Sequence, residues 1–284
     1  MTAGYQDFQK LAAGIKIPPC PAILAELMNL VRNPDAKRDE IAKLVKRDAG
    51  LAAALLKLVN SPLYAKNGKI TSIDQAISIL GMKTMHNLMY HVSLRQSMAN
   101  NPPNFEKFWE RSSLIAATSA RVAQKIHVIC NAVVSPDDAY ITGLFNDCGI
   151  PILISTFANY RQVMVAKANI GQDVYKIENE HFATNHAVVG GMMASTWLLP
   201  DRVSKAIRYQ HDRTIYTSPS DRIGNDVIEL TAVIHLAEMI VDTHFCQVNT
   251  EWEEIAADVL HYLAISEQDL TELKDNILGW LSDE

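Results

Sequence analysis

Apolar residues return every three or four positions along almost the whole 284-residue chain, the spacing that gives an α-helix one buried face. Ile23, Leu24, Leu27, Leu30 and Val31 follow Pro21 at a helix-start position and run to the breaker Asn33-Pro34. Ile41, Leu44 and Val45 predict a second helix. Leu51, Leu55, Leu58 and Val59 predict a third, stopped by Asn60-Ser61-Pro62 because proline lacks the donor a helix interior needs. Ser72 and Gln75 form a capping-box pattern ahead of Ile73, Ala76, Ile77 and Leu80, and Gly81 supplies a left-handed stop. A longer helix then uses Met82, Met85, Leu88, Met89 and Val92.

The turn formers Asn100-Asn101-Pro102-Pro103-Asn104 suggest a boundary, which gives an N-terminal helical subdomain over 1–100 and a second over 101–284. Beyond it Phe105 to Ile126 reads as a helix. Ser135-Pro136-Asp137-Asp138 opens another with a cap, an N1 proline and acids suited to the positive dipole end, and this helix runs towards Asn146-Asp147. The β-branched run Ile150 to Phe157 resembles a strand in composition, but it is short and lies between helices, so helix is expected. Further helices are expected over 173–182, 185–198, 201–210, 226–244, 252–263 and 267–281, the last opened by Ser266 with Asp269 three residues on. The predicted class is all-α.

Composition adds exclusions. A formal net charge of -6 works against wrapping a phosphate backbone, so nucleic acid is not an expected partner. The longest charge-free stretch, Thr184 to Pro200, is interrupted by polar residues and is shorter than the roughly 20 apolar residues that span a bilayer, so no membrane segment is expected. The first twenty residues lack the apolar core of a signal peptide, which makes the cytoplasm the expected compartment. Cys20, Cys130, Cys148 and Cys246 form no CxxC pair and read as reduced thiols.

Nucleotide-binding glycine loops, GxSxG and HExxH are all absent. The remaining candidates are scattered through the second half: Asn146-Asp147 at a helix end, His186 early in a helix, Gln210-His211 at another helix end, and Glu238 inside an apolar helix. Ligands for a metal in a helical bundle often come from separate helices in this way. Equally, Asp147 and His211 suit helix ends and His186 suits a satisfied core position. Periodicity does not decide between the two.

Several segments together resemble one family. They are IPPCP at 17–21, KRDAGLAAALLKLVNSPLY at 46–64, ITSIDQAISILGMKTMHNLM at 70–89, FWERS at 108–112, ITGLFNDCG at 141–149 and NHAVVGGMMASTWLLPDRVSKAIRYQHD at 185–212. In this order they resemble HDOD proteins, the output-module branch of the HD phosphohydrolase superfamily. The resemblance implies a helical N-terminal subdomain packed on a degenerate HD-type helical bundle.

Active HD enzymes similar to this region hold divalent metals with histidines, a His-Asp pair and a late aspartate. Arg111 matches the first histidine position, Asn146 the His of the pair, Gln210 a later histidine and Glu238 the last acid. Asp147, His186 and His211 keep ligand chemistry, so any metal is expected on those three. No metal or other cofactor is expected, because a guanidinium has no lone pair and repels a dication. Arg111 is expected to pair with Asp147 as counter-charge.

The function implied is a non-catalytic signalling output or protein-interaction module with an unidentified protein partner. The matching segments begin at residue 17, so the input is expected from a separate partner or a small-molecule ligand. Two alternatives stand beside it: a residual metal-dependent phosphohydrolase acting on a nucleotide or phosphoester, and a nucleotide or cyclic-dinucleotide sensor whose phosphate Arg111 holds. Asn60, Ser61 and Tyr64 are candidates for an interaction turn, against the alternative of a structural helix stop. Met82, Met85, Met89, Trp109 and Trp197 are expected to be core.

Overall fold

The computed structural model describes residues 14–33, 37–64, 69–98, 105–130, 132–168, 173–221 and 223–282. It is all-α, with no strand among the described residues. The chain forms two compact units, one of residues 19–100 and one of residues 101–283 that also includes the segment up to Pro18. The division falls within the turn-rich stretch; residues 100–104 themselves lie outside the described residues.

The first unit contains α1 (Ala22–Arg32), α2 (Arg38–Lys46), α3 (Ala49–Val59) and α4 (Ile73–Ser97). α4 packs against the other three and is broken at Gly81, whose φ of +82° suits glycine because it has no Cβ. Leu24, Leu27, Ile41, Leu51, Leu55, Ile77, Met85, Leu88 and Met89 fill the core. Met82, by contrast, is only partly buried.

The loop from α3 to α4 is closed by one side chain. Asn60 donates to Leu56 O and Ile70 O, each at 2.7 Å, and accepts from Ile70 N at 2.8 Å. Ser61 donates back to Leu58 O at 2.7 Å. These polar groups therefore serve the loop itself, and Tyr64 follows on the same turn.

The second unit contains α5 (Glu106–Cys130), α6 (Pro136–Phe145), α7 (Gly149–Thr156), α8 (Tyr160–Ala168), α9 (Val174–Phe182), α10 (His186–Thr196), α11 (Asp201–Tyr209), α12 (Thr214–Thr217), α13 (Asn225–His244), α14 (Thr250–Leu263) and α15 (Glu267–Ser282). α13 is buried nearly all round and packs on α5, α6, α11, α14 and α15. The β-branched run is helical, as α7. α8 and α12 were not expected from the pattern.

Trp197 is fully buried, and its ring N–H donates to Pro18 O at 3.0 Å; Trp109 is also core. The crossing of α7 and α10 depends on Gly149, where a Cβ would lie 2.1 Å from His186 O. That close approach sets the start of α10 against the start of α7. Among the described residues, no single helix is long and apolar enough to cross a membrane.

Candidate functional site

Helix ends of the second unit converge on a polar recess. α5 brings Arg111 in its second turn, the α6–α7 junction brings Asn146 and Asp147, and α10 opens with His186. Gln210 and His211 follow α11, and α13 supplies Glu238 and, one turn later, Asp242. All seven second-half candidates therefore meet in one region, whereas Asn60, Ser61 and Tyr64 belong to the other unit.

Arg111 organises one side. Its Nη1 donates to Asp147 Oδ2 at 3.0 Å, while Nη2 and Nε donate to Asp242 Oδ1 at 3.0 and 3.3 Å. Glu238 Oε1 lies 3.9 Å from Nη2 and accepts from Asn146 Nδ2 at 2.8 Å. Gln210 Nε2 donates to Asn146 O at 3.1 Å, and Asn249 Nδ2 donates to Asp242 Oδ2 at 2.8 Å. Burial alone would lower the Arg111 pKa, but Asp147, Glu238 and Asp242 raise it above its ordinary value. Glu238 moves the other way: burial pushes it well above the carboxylate range, Arg111 opposes that, and Asp147, Glu251 and Asp242 reinforce it. Burial thus shifts Glu238 towards its neutral form, against the pull of Arg111.

The histidines organise the other side. His186 Nδ1 lies 2.6 Å from Glu178 Oε2, His211 Nδ1 lies 2.7 Å from Glu251 Oε1, and the two Nε2 atoms are 2.8 Å apart. Each Nδ1 carries the hydrogen its carboxylate accepts, so the Nε2 contact holds one further proton and the pair carries one positive charge. Burial would depress His186, but Glu178, then Asp147 and Glu251, raise it to about 9. Burial likewise pushes Glu178 and Glu251 up, and the facing histidines bring both below their ordinary value. Tyr160 donates a hydrogen bond to Glu178, and Tyr175 stacks on His211 with centroids 4.7 Å apart.

Glu178, Asp242, Glu251 and Asn249 were not among the sequence candidates. Asp242 had a legible signal, a second acid four residues after Glu238 on an apolar helix. Glu178 and Glu251 had none, because only folding brings them to the histidines.

The divalent metals implied by the resemblance do not fit this set as a dinuclear centre. The guanidinium stands between Asp147 and Asp242 and takes one oxygen of each, where a metal would need to bind. Among the described residues, no group of three or more His, Cys, Asp or Glu is arranged to hold one ion. In charge, Arg111 and the histidine pair face four carboxylates, Asp147, Asp242, Glu178 and Glu251, which leaves the recess net negative.

Comparison with known proteins gives a consistent picture. Residues 17–213 match the HDOD domain. An uncharacterised protein of Treponema pallidum (strain Nichols) is 27% identical over 273 residues, which cover 92% of this chain and 50% of that protein. This chain thus spans about half the length of that relative. Among solved structures, a protein of Shewanella amazonensis SB2B provisionally described as a phosphohydrolase aligns with a TM-score of 0.74 and 19% identity, covering 99% of this chain and 95% of the other. An HDOD domain protein of unknown function from Geobacter sulfurreducens aligns at 0.67 and 20%, covering 95% and 97%. A protein of Marinobacter aquaeolei VT8 provisionally described in signal transduction aligns at 0.68 and 19%, covering 99% and 65%. At these identities the likeness is one of fold.

Proposed function

Because this chain belongs to the HDOD family, we propose that it is a non-catalytic signalling module that acts by binding a protein partner, its HD-type recess serving as an ion network instead of a metal centre. The observation that carries this reading is Arg111. Its Nε and both Nη groups are committed to Asp147 and Asp242, so a fixed cation stands among the carboxylates that catalysis would need for metals.

The same commitment weighs against the nucleotide-sensor reading. An anionic phosphate entering the recess would meet a net negative set and an arginine whose fork already holds carboxylates. For the phosphohydrolase reading, Asp147 is the sharpest difficulty, since its Oδ2 accepts from Arg111 and its Oδ1 lies 3.7 Å from His186 Nε2.

A hydrolysis assay tests the proposal. The chain is incubated with an activated phosphodiester, bis(4-nitrophenyl) phosphate, and with manganese, magnesium, iron or nickel. Release of nitrophenolate no faster than from the Asp147→Asn variant is expected. Metal-dependent turnover that this substitution abolishes would overturn the reading.

A further inference from the structure

α6, α11 and α13 pack on one another, and each carries a recess residue at or beyond its middle: Asn146, Gln210 and Glu238. Their first turns border something else, a surface cleft of about 320 Å³ lined by Asp138, Arg202 and Asp226 and by Val133, Val134 and Leu230. That volume falls at the lower end of the roughly 300–1,000 Å³ that small-molecule sites occupy.

The apolar part is a wall with a base. Leu230 is buried, Val134 is half-buried and Val133 stands 80% exposed at the edge. Val133 N donates to Glu229 Oε2 at 3.2 Å, which fastens this wall to α13.

The charges beside it are incompletely used. Arg202 Nε donates to Asp138 Oδ2 at 2.6 Å and Nη2 lies 2.6 Å from the same oxygen, so one carboxylate oxygen takes two of the three guanidinium nitrogens. Among the described residues, Arg202 Nη1 and the Asp226 carboxylate have no hydrogen-bond or ion-pair partner. Asp138 first, and Asp226 after it, hold the Arg202 pKa above its ordinary value, which puts Asp226 within electrostatic reach of the guanidinium. An arginine in the first turn of α11 also opposes the helix dipole, and α11 starts without a side-chain cap, so the positive potential there is left for an outside anion.

The geometry points to a binding site for a free α-amino acid with a branched apolar side chain, its carboxylate on Arg202 Nη1, its ammonium on Asp226 and its side chain on Val133, Val134 and Leu230. Such a ligand carries two opposite charges close together, as the cleft does, and a tail that covers the apolar wall. A phosphate would match Arg202 but meet two carboxylates, and a simple amine would leave Nη1 open. The cleft shares no lining residue with the recess, so the site stands whether or not the recess holds metal.

L-Leucine is titrated to tens of millimolar into the isotope-labelled full chain and followed by NMR. Beside it run 4-methylpentanoate, which lacks the ammonium, 3-methylbutylamine, which lacks the carboxylate, and glycine, which lacks the tail. Leucine is expected to move the amide signals of Val133, Val134, Arg202 and Asp226 and to saturate. Each of the other three is expected to bind about tenfold more weakly, since each lacks one of the three contacts. Asp226→Asn, at an exposed position whose change does not threaten folding, is expected to weaken leucine about tenfold, and Val133→Ser by a smaller factor. Unmoved cleft signals, binding of 4-methylpentanoate or 3-methylbutylamine as tight as that of leucine, or undiminished binding to Asp226→Asn would overturn the inference.

Discussion

A guanidinium and a metal ion neutralise carboxylates differently: the arginine offers a planar fork of donors, fixed in direction, on a chain anchored to its own helix. Arg111 uses this fork to tie α5 to the α6–α7 junction and to α13. Arg111→Ala strands Asp147 and Asp242 and is expected to cost about 3 kcal/mol in urea denaturation. Glu238→Gln keeps the acceptor for Asn146 at a position where burial already works against the charge, so a change under about 1 kcal/mol is expected. Equal losses for the two would contradict the charge assignment.

His186 supplies a pH test at the same scale. Its folded-state pKa is raised from 6.5 to about 9, so its stabilisation is complete below 6.5 and lost as pH rises through 9. The groups facing it are Glu178, His211, Asp147 and Glu251, with Tyr160 behind Glu178. A fall on the order of 3 kcal/mol across that window is expected, and it should flatten in His186→Gln. A stability that rises from pH 6.5 to 9 would contradict it. The pairing of Arg111 with Asp147 was legible from residue types in matched segments. Its second partner, Asp242, was not picked out, because an acid on a buried helix reads as an isolated polar position until its neighbours are known.

At the scale of elements, local signals located most helices: the Ser72 and Ser135 caps, the Gly81 break and the Asn60 stop all stand where the chain chemistry puts them. α8 was missed because Tyr160–Ala168 carries polar and apolar residues with little facial separation, and α12 is a single turn. The Asn60 turn shows how one polar side chain fixes an element boundary. Asn60→Ala removes two donations and one acceptance and is expected to lower stability by about 2 kcal/mol by thermal unfolding. Asn60→Asp restores only the acceptor and should recover part of that. A silent Asn60→Ala would show that the loop is closed by other means.

For the whole molecule, helical class followed from periodicity, and convergence of the second-half candidates followed from the ordered segments that resemble HDOD proteins. What no linear pattern carried was the outer carboxylate layer. Glu178 reaches His186 from eight residues away and Glu251 reaches His211 from forty, across helices whose packing alone sets the distance. That layer decides the behaviour of the recess, because it holds both Nδ1 hydrogens in place and turns the two Nε2 atoms onto one shared proton. The central claim is that internal cations, Arg111 and the protonated histidine pair, stand in place of metal. The most direct test is elemental analysis by mass spectrometry of the chain purified without chelators or an affinity tag that binds metal. Substoichiometric manganese, iron, zinc, nickel and magnesium are predicted; two equivalents of a transition metal per chain, lost together with Asp147→Asn, would contradict the account.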